Sequence, residues 1–187
     1  MSEPTAVEVL TAVHVALTEH GVPHAFGGAF ALQWCTAEPR GTIDVDLNIL
    51  LGPAQVERVL NALPAMVEVT DEARLALIRD GQARLFAGIT PLDLFFNTTS
   101  FHATLEELVE YHQVFGHRIP FLRCDDLCVF KAFFNRRKDW ADIEEMLKAG
   151  TVEVNYVVGV LEAHLGADDE RITTLRTIEA EVDASAC

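Results

Sequence analysis

Asp44 and Asp46 stand two residues apart in a stretch, 42–50, where Thr42, Asp44, Asp46 and Asn48 share one parity and Ile43, Val45, Leu47 and Ile49 the other. That alternation is the period of a β-strand, so both carboxylates leave the same face and can share one ion. Two like charges this close are costly unless a cation or a proton lies between them. Mg2+, as one or two ions or with Mn2+ in its place, suits the pair because it takes hard oxygen ligands and joins carboxylates to substrate phosphates. Asp93 lies in a second apolar run, between Leu92 and Leu94, and an acid so embedded requires a partner. If the two strands are neighbours, three acids converge in the layout used for in-line phosphoryl-type transfer, and Asp93 can accept the proton of an attacking hydroxyl. An Asp-X-Asp pair alone also occurs on solvated strands and loops, so its flanks carry the weight.

The flanking elements have a readable order. Val7, Leu10, Val13 and Leu17 recur at helical intervals over 4–20, ended by Gly21. A short strand over 23–26 runs into Gly27 and Gly28 and then an apolar helix over 29–35, a strand–glycine turn–helix unit that can present backbone N–H groups to a phosphate. A plain turn is the commoner use of such a glycine pair. Helices are expected over 53–63, 71–79 and 101–111, and strands over 82–87 and 92–97, with a turn at Gly88 and Pro91 between them. An extended stretch at 117–122 precedes helices at 125–135, 140–147, 152–165 and 167–182. This order predicts an α+β fold: a small mixed β-sheet flanked by helices, then a C-terminal helical region. Residues 1–122 are read as a catalytic core and 123–187 as helices packed on it in a single compact unit.

The 187 residues carry a net charge of -15, which argues against a protein that coats nucleic acid nonspecifically. The charge is uneven: Asp139–Cys187 holds twelve acidic and three basic residues, whereas Arg118–Lys138 holds six basic residues against Asp125 and Asp126. A docking polyanion would use that second segment. No stretch approaches the ~18 apolar residues of a spanning helix and the start lacks a basic secretory signal, so the expectation is a cytoplasmic protein with no membrane role. Cys35, Cys124, Cys128 and Cys187 complete no zinc pattern and read as reduced thiols. The seven histidines show no metal-binding spacing either.

The run Gly27-Gly28-Ala29 followed by Arg40-Gly41-Thr42-Ile43-Asp44-Val45-Asp46-Leu47 resembles the signature of the nucleotidyltransferase superfamily. Its Arg-X-Thr-X-Asp-X-Asp form is similar to the AbiEii-type branch, which includes the MenT-type toxins of bacterial toxin–antitoxin pairs. Lys131 and the later Lys138-Asp139-Trp140-Ala141-Asp142 resemble that branch's Lys-Asp-X-X-Asp motif. Glycine at 28 stands where many superfamily members carry serine, a variant this branch shares.

The resemblance implies the nucleotidyltransferase fold, Asp44, Asp46 and Asp93 as catalytic metal ligands, and a triphosphate under Gly27 and Gly28. It further implies that Arg40 and Thr42 support the phosphates or the strand and that Lys131, on an otherwise apolar helix face with no evident structural duty, reaches the nucleotide. Arg136, Arg137, Lys138 and Asp139 either support the site or acceptor or have bland duties: solvated arginines, and acids that start a helix at Asp139 and Asp142. The implied activity moves NMP from an NTP co-substrate to RNA, the 3'-end of tRNA by family analogy, as a toxin with a cognate antitoxin protein. A small-molecule nucleotidyltransferase with an aminoglycoside-like acceptor and an inactive binding module are the alternatives; acidity favours the former, and the three aspartates count against the latter.

Overall fold

The computed structural model describes residues 3–37 and 41–185, and Arg40 lies outside them. The described residues form two compact units: 3–30 with 41–122, and 31–37 with 123–185.

The first unit is built on a mixed six-stranded sheet. Its strands are β1 (His24–Phe26), β2 (Val45–Ile49), β3 (Gln82–Ala87), β4 (Thr90–Phe96), β5 (Glu110–Val114) and β6 (His117–Phe121), in the order β3-β4-β2-β1-β6-β5. β2 runs parallel to β4 and β1 parallel to β6; the remaining pairs are antiparallel. The α+β class expected from the sequence is the one observed.

Helix α1 (Ala6–Glu19) starts at a reciprocal cap in which Glu8 N–H donates to Thr5 Oγ1 and Thr5 N–H to Glu8 Oε2, at 3.3 and 2.8 Å. It buries Val9, Leu10, Val13 and Leu17. α2 (Gly28–Leu32) follows β1, α3 (Val56–Ala62) follows a 3-10 turn at Pro53–Gln55, and α4 (Asp71–Asp80) ends at Gly81, whose φ of 70° is the left-handed closure that favours glycine. On β4, Leu92, Leu94 and Phe96 are buried while Asp93 and Phe95 are only partly so. That alternation makes one face core and leaves the other to polar groups.

Two expectations are corrected within this unit. The turn between β3 and β4 lies at Gly88 and Ile89; Pro91 sits inside β4, opposite Phe86 and just before the pairing with β2 begins at Leu92. There its missing N–H costs the sheet nothing on the β2 side. The helix expected over 101–111 is only α5 (Ser100–Thr104) and a 3-10 turn at Leu105–Glu107. The chain then enters β5, an edge strand whose Tyr111 and Gln113 are exposed, so little apolar alternation marks it.

A histidine pair underlies the sheet. His14 Nδ1 lies 3.0 Å from His24 Nε2, and His24 Nδ1 2.8 Å from the Val22 carbonyl oxygen, both rings buried. Burial pushes His24 down to about 4 and His14 down as well; it does the same to His102, also to about 4. These rings are neutral in the fold and titrate near 6.5 once unfolded, so below 6.5 the unfolded chain binds more protons. Stability is full above pH 6.5 and drains away as pH falls towards 4, with His24 alone worth about 3 kcal/mol at the acid end. Urea unfolding at pH 7.5, 5.5 and 4.5 should show this decline, and a His14→Leu, His24→Phe double variant should make it shallower, leaving the share of His102.

The second unit consists of α6 (Cys124–Phe134), α7 (Arg137–Lys148), α8 (Val154–Leu165), α9 (Glu170–Ser185) and the segment that continues from α2. Cys35 and Cys124 form a disulfide with Cα atoms 5.4 Å apart, which corrects the expectation of reduced thiols for both. At a sequence separation of 89, their adjacency is a property of the tertiary fold. Thr151 Oγ1 also donates to the Cys35 carbonyl at 2.7 Å. Cys128 is free and buried, and burial pushes its thiol up to about 12.

Among the described residues no helix is long and apolar enough to cross a membrane.

Candidate functional site

Three adjacent strands assemble the site through their register. Asp46 of β2 is the Cα partner of Asp93 on β4, and Asp93 is the Cα partner of Arg84 on β3. Partners across a ladder share a face, so Asp46, Asp93 and Arg84 form a row across the sheet. Asp44 precedes β2 and joins that face two residues earlier. Thr42 fixes this entry: its Oγ1 accepts from Asp44 N–H at 3.1 Å and lies 3.2 Å from the Asp44 carbonyl oxygen. Its observed duty is to the backbone of Asp44.

The glycine turn meets the same acids. Gly27 N–H donates to the Asp46 carbonyl at 2.9 Å, which seats the turn on β2. Gly28 has a φ of 53°, and a Cβ there would stand 1.7 Å from Asp46 Oδ2. Glycine is therefore required twice, by conformation and by the approach of the carboxylate. A Gly28→Ala substitution should cost about 1 kcal/mol for the left-handed residue and more for turning the Asp46 carboxylate away. Urea unfolding checks this: in an Asp46→Gly background the same substitution should cost only the conformational part.

Arg84 closes the row electrostatically. Its Nε and Nη2 donate to the two oxygens of Asp93, each at 2.7 Å, and Nη2 lies 3.7 Å from Asp44 Oδ2. The hydrogen bonds to Asp93, opposed by partial desolvation and aided by the charges of Asp93, Asp44 and Asp46, hold its guanidinium protonated more firmly than usual. Sequence reading passed over Arg84, yet a signal existed. A two-residue turn at Gly88 and Ile89 pairs Ala87 with Thr90 and, three steps back, Arg84 with Asp93; a turn assigned through Pro91 hides that register.

Among the described residues no group of three His, Cys, Asp or Glu side chains is arranged to hold a metal ion. The three acids share a face but do not close on one point, and Asp93 gives both oxygens to Arg84. The donor set nonetheless fits a hard divalent cation: carboxylates only, with a guanidinium standing in as the cation between Asp93 and Asp44.

The remaining expected site residues that the structure describes lie in the second unit. Lys131, 5 % exposed on α6, donates to Asp142 Oδ2 on α7 at 2.6 Å. This corrects the expectation that Lys131 lacks a structural duty. Asp139 is buried at the start of α7, accepting from Arg136 N–H at 3.3 Å and from its Nε at 2.6 Å. Of the two readings left open for Asp139, capping is the one its contacts display. Arg137 and Lys138 are exposed at the first turn of α7.

No family model matches the chain, and no curated protein matches it. Solved structures do. The antibiotic-resistance factor ANT(2'')-Ia in solution superposes with a TM-score of 0.53 at 12 % identity, over 99 % of this chain and 95 % of that one. The crystal structure of ANT(2'')-Ia in complex with adenylyl-2''-tobramycin gives 0.54 at 12 %, over 97 % and 98 %. An antigenic nucleotidyltransferase-like protein from Paracoccidioides brasiliensis gives 0.50 at 14 %, over 98 % and 91 %. The chain has the nucleotidyltransferase-like fold of these proteins.

Proposed function

We propose that the protein transfers a nucleoside monophosphate from a nucleoside triphosphate to an acceptor hydroxyl. The observation that carries this reading is the row Asp46–Asp93–Arg84 on three neighbouring strands, with Asp44 beside it and the Gly27–Gly28 turn against Asp46. Asp44, Asp46 and Asp93 would hold Mg2+ or Mn2+, which when bound supplies neutralisation of the triphosphate's charge. The chain's own residues do the rest. The glycine turn lets the Asp46 carboxylate lie against its backbone, where a side chain at 28 would collide with it. Asp93 takes the proton of the acceptor hydroxyl as its oxygen bonds to the α-phosphorus, while the bond to the β-phosphate breaks and pyrophosphate leaves.

Two acceptors are supported by different observations. The Arg-X-Thr-X-Asp-X-Asp and Lys-Asp-X-X-Asp runs support RNA, the 3'-end of tRNA, and with it a toxin kept in check by an antitoxin protein. A cationic small molecule, aminoglycoside-like, is supported by charge. Arg123, Lys131 and Arg136 are each bound to a carboxylate, Asp126, Asp142 and Asp139, within a chain of net charge -15. That leaves Arg118, Arg137 and Lys138 of the basic segment to meet a polyanion.

Incubation with each labelled nucleoside triphosphate and Mg2+, with total tRNA or an aminoglycoside panel, at two salt concentrations, tests both. If RNA is the acceptor, Arg137→Glu with Lys138→Glu weakens tRNA binding and flattens its salt dependence, by a slope of roughly 0.7–0.9 per lost contact. A cationic acceptor predicts unchanged or tighter binding in the same variant. No transfer to either acceptor rejects both.

A further inference from the structure

We propose that Arg84 is a resident counter-cation of the acid row, a positioning residue that holds Asp93 while nucleotide is absent and passes to the triphosphate when nucleotide and metal arrive together. This rests on the nucleotidyl-transfer reading above and adds a role for a residue outside the Asp-X-Asp and glycine signatures.

Three observations carry it. The guanidinium engages both oxygens of Asp93 and lies 3.7 Å from Asp44, so a divalent ion seeking Asp93 must compete with a bidentate, charge-assisted pair. The arginine's place is set by backbone register, since it is the Cα partner of Asp93 in the β3–β4 ladder, and this keeps it at the acid row whatever the side chain does. Its side chain is 50 % exposed on an edge strand, so it can leave Asp93 without opening the core. A guanidinium released beside phosphate oxygens finds pairs of anionic acceptors that its planar fork can engage bidentately. The consequence is ordered loading: metal alone binds weakly, and metal delivered with a triphosphate binds well because Arg84 then has a second anionic partner.

The test uses the full chain and Mn2+ as the probe. Mn2+ binding without nucleotide, followed by electron paramagnetic resonance or calorimetry, should tighten about three- to tenfold in Arg84→Ala, the order expected when one partly exposed charge-assisted competitor is removed. Affinity for a non-hydrolysable nucleoside triphosphate with Mn2+ should weaken about tenfold or more in the same variant. Arg84→Lys, which keeps the charge but loses the fork, should lie between the two proteins on both measurements. Thermal unfolding verifies that each variant is folded, and Arg84→Gln replaces alanine if it is not. An unchanged or weakened affinity for Mn2+ alone, or an undiminished triphosphate affinity, overturns the proposal. Failure of the underlying reading looks different: the wild-type protein then binds no Mn2+–triphosphate, and Asp44→Ala alters nothing.

Discussion

Replacing Asp44 or Asp46 by alanine should abolish nucleotide transfer while leaving the fold intact. Several kcal/mol of transition-state stabilisation go with a lost metal ligand, about a thousandfold or more in rate. Little stability goes with it. The hydrogen bonds that position Asp44 are those of its backbone with the Thr42 hydroxyl, which alanine keeps, and the half-exposed 3.7 Å ion pair with Arg84 that it loses is worth little. At Asp46 the seat of the glycine turn is the backbone carbonyl, also kept, and removing one of two crowded carboxylates relieves repulsion. Incorporation of labelled nucleotide at saturating Mg2+, measured beside urea unfolding, separates the two effects. Retained incorporation in either variant would remove these aspartates from the proposed site.

Lys131→Ala should unfold the helical unit far more than it disturbs nucleotide binding. The side chains of Lys131 and Asp142 are only 7 % and 9 % exposed, and truncating the lysine takes a short, charge-assisted bond from a carboxylate in a desolvated place. Breaking one partner of such a pair costs about 3–5 kcal/mol. The pair's net worth is much smaller, so Lys131→Met combined with Asp142→Leu should recover most of the loss. Urea midpoints for the two singles and the double give the coupling directly. A single variant with wild-type stability and a raised KM for every nucleoside triphosphate would return Lys131 to the nucleotide.

Lys131 also shows where sequence reading stops. On α6 its neighbours Val129 and Ala132 are apolar, so periodicity makes the lysine look superfluous to the fold. Its partner Asp142 is on the next helix, and only helix packing reveals the bond. The aspartate row was legible for the opposite reason. Strand alternation fixes which side chains share a face, and that pattern is local, so Asp44 and Asp46 could be paired from sequence alone. Adding Asp93 required β2 and β4 to be neighbours, a nonlocal fact that the ladder supplies. Arg84 was missed through a turn placed two residues late. The edge strand β5 was missed because an exposed ribbon need not carry an apolar stripe. The disulfide was invisible because spacing along the chain says nothing of distance across it.

That disulfide also bears on the order in which the chain can mature. Cys35 is made early, yet its partner leaves the ribosome 89 residues later, and the rest of that unit follows Cys124. During synthesis the segment after α2 must therefore wait, its Cys35 thiol open to other oxidants and partners, until the last third of the protein exists. Cleavage at residue 122 would not separate two autonomous pieces: the C-terminal fragment would lack 31–37, and the N-terminal one would carry that stretch with nothing of its own unit to fold against.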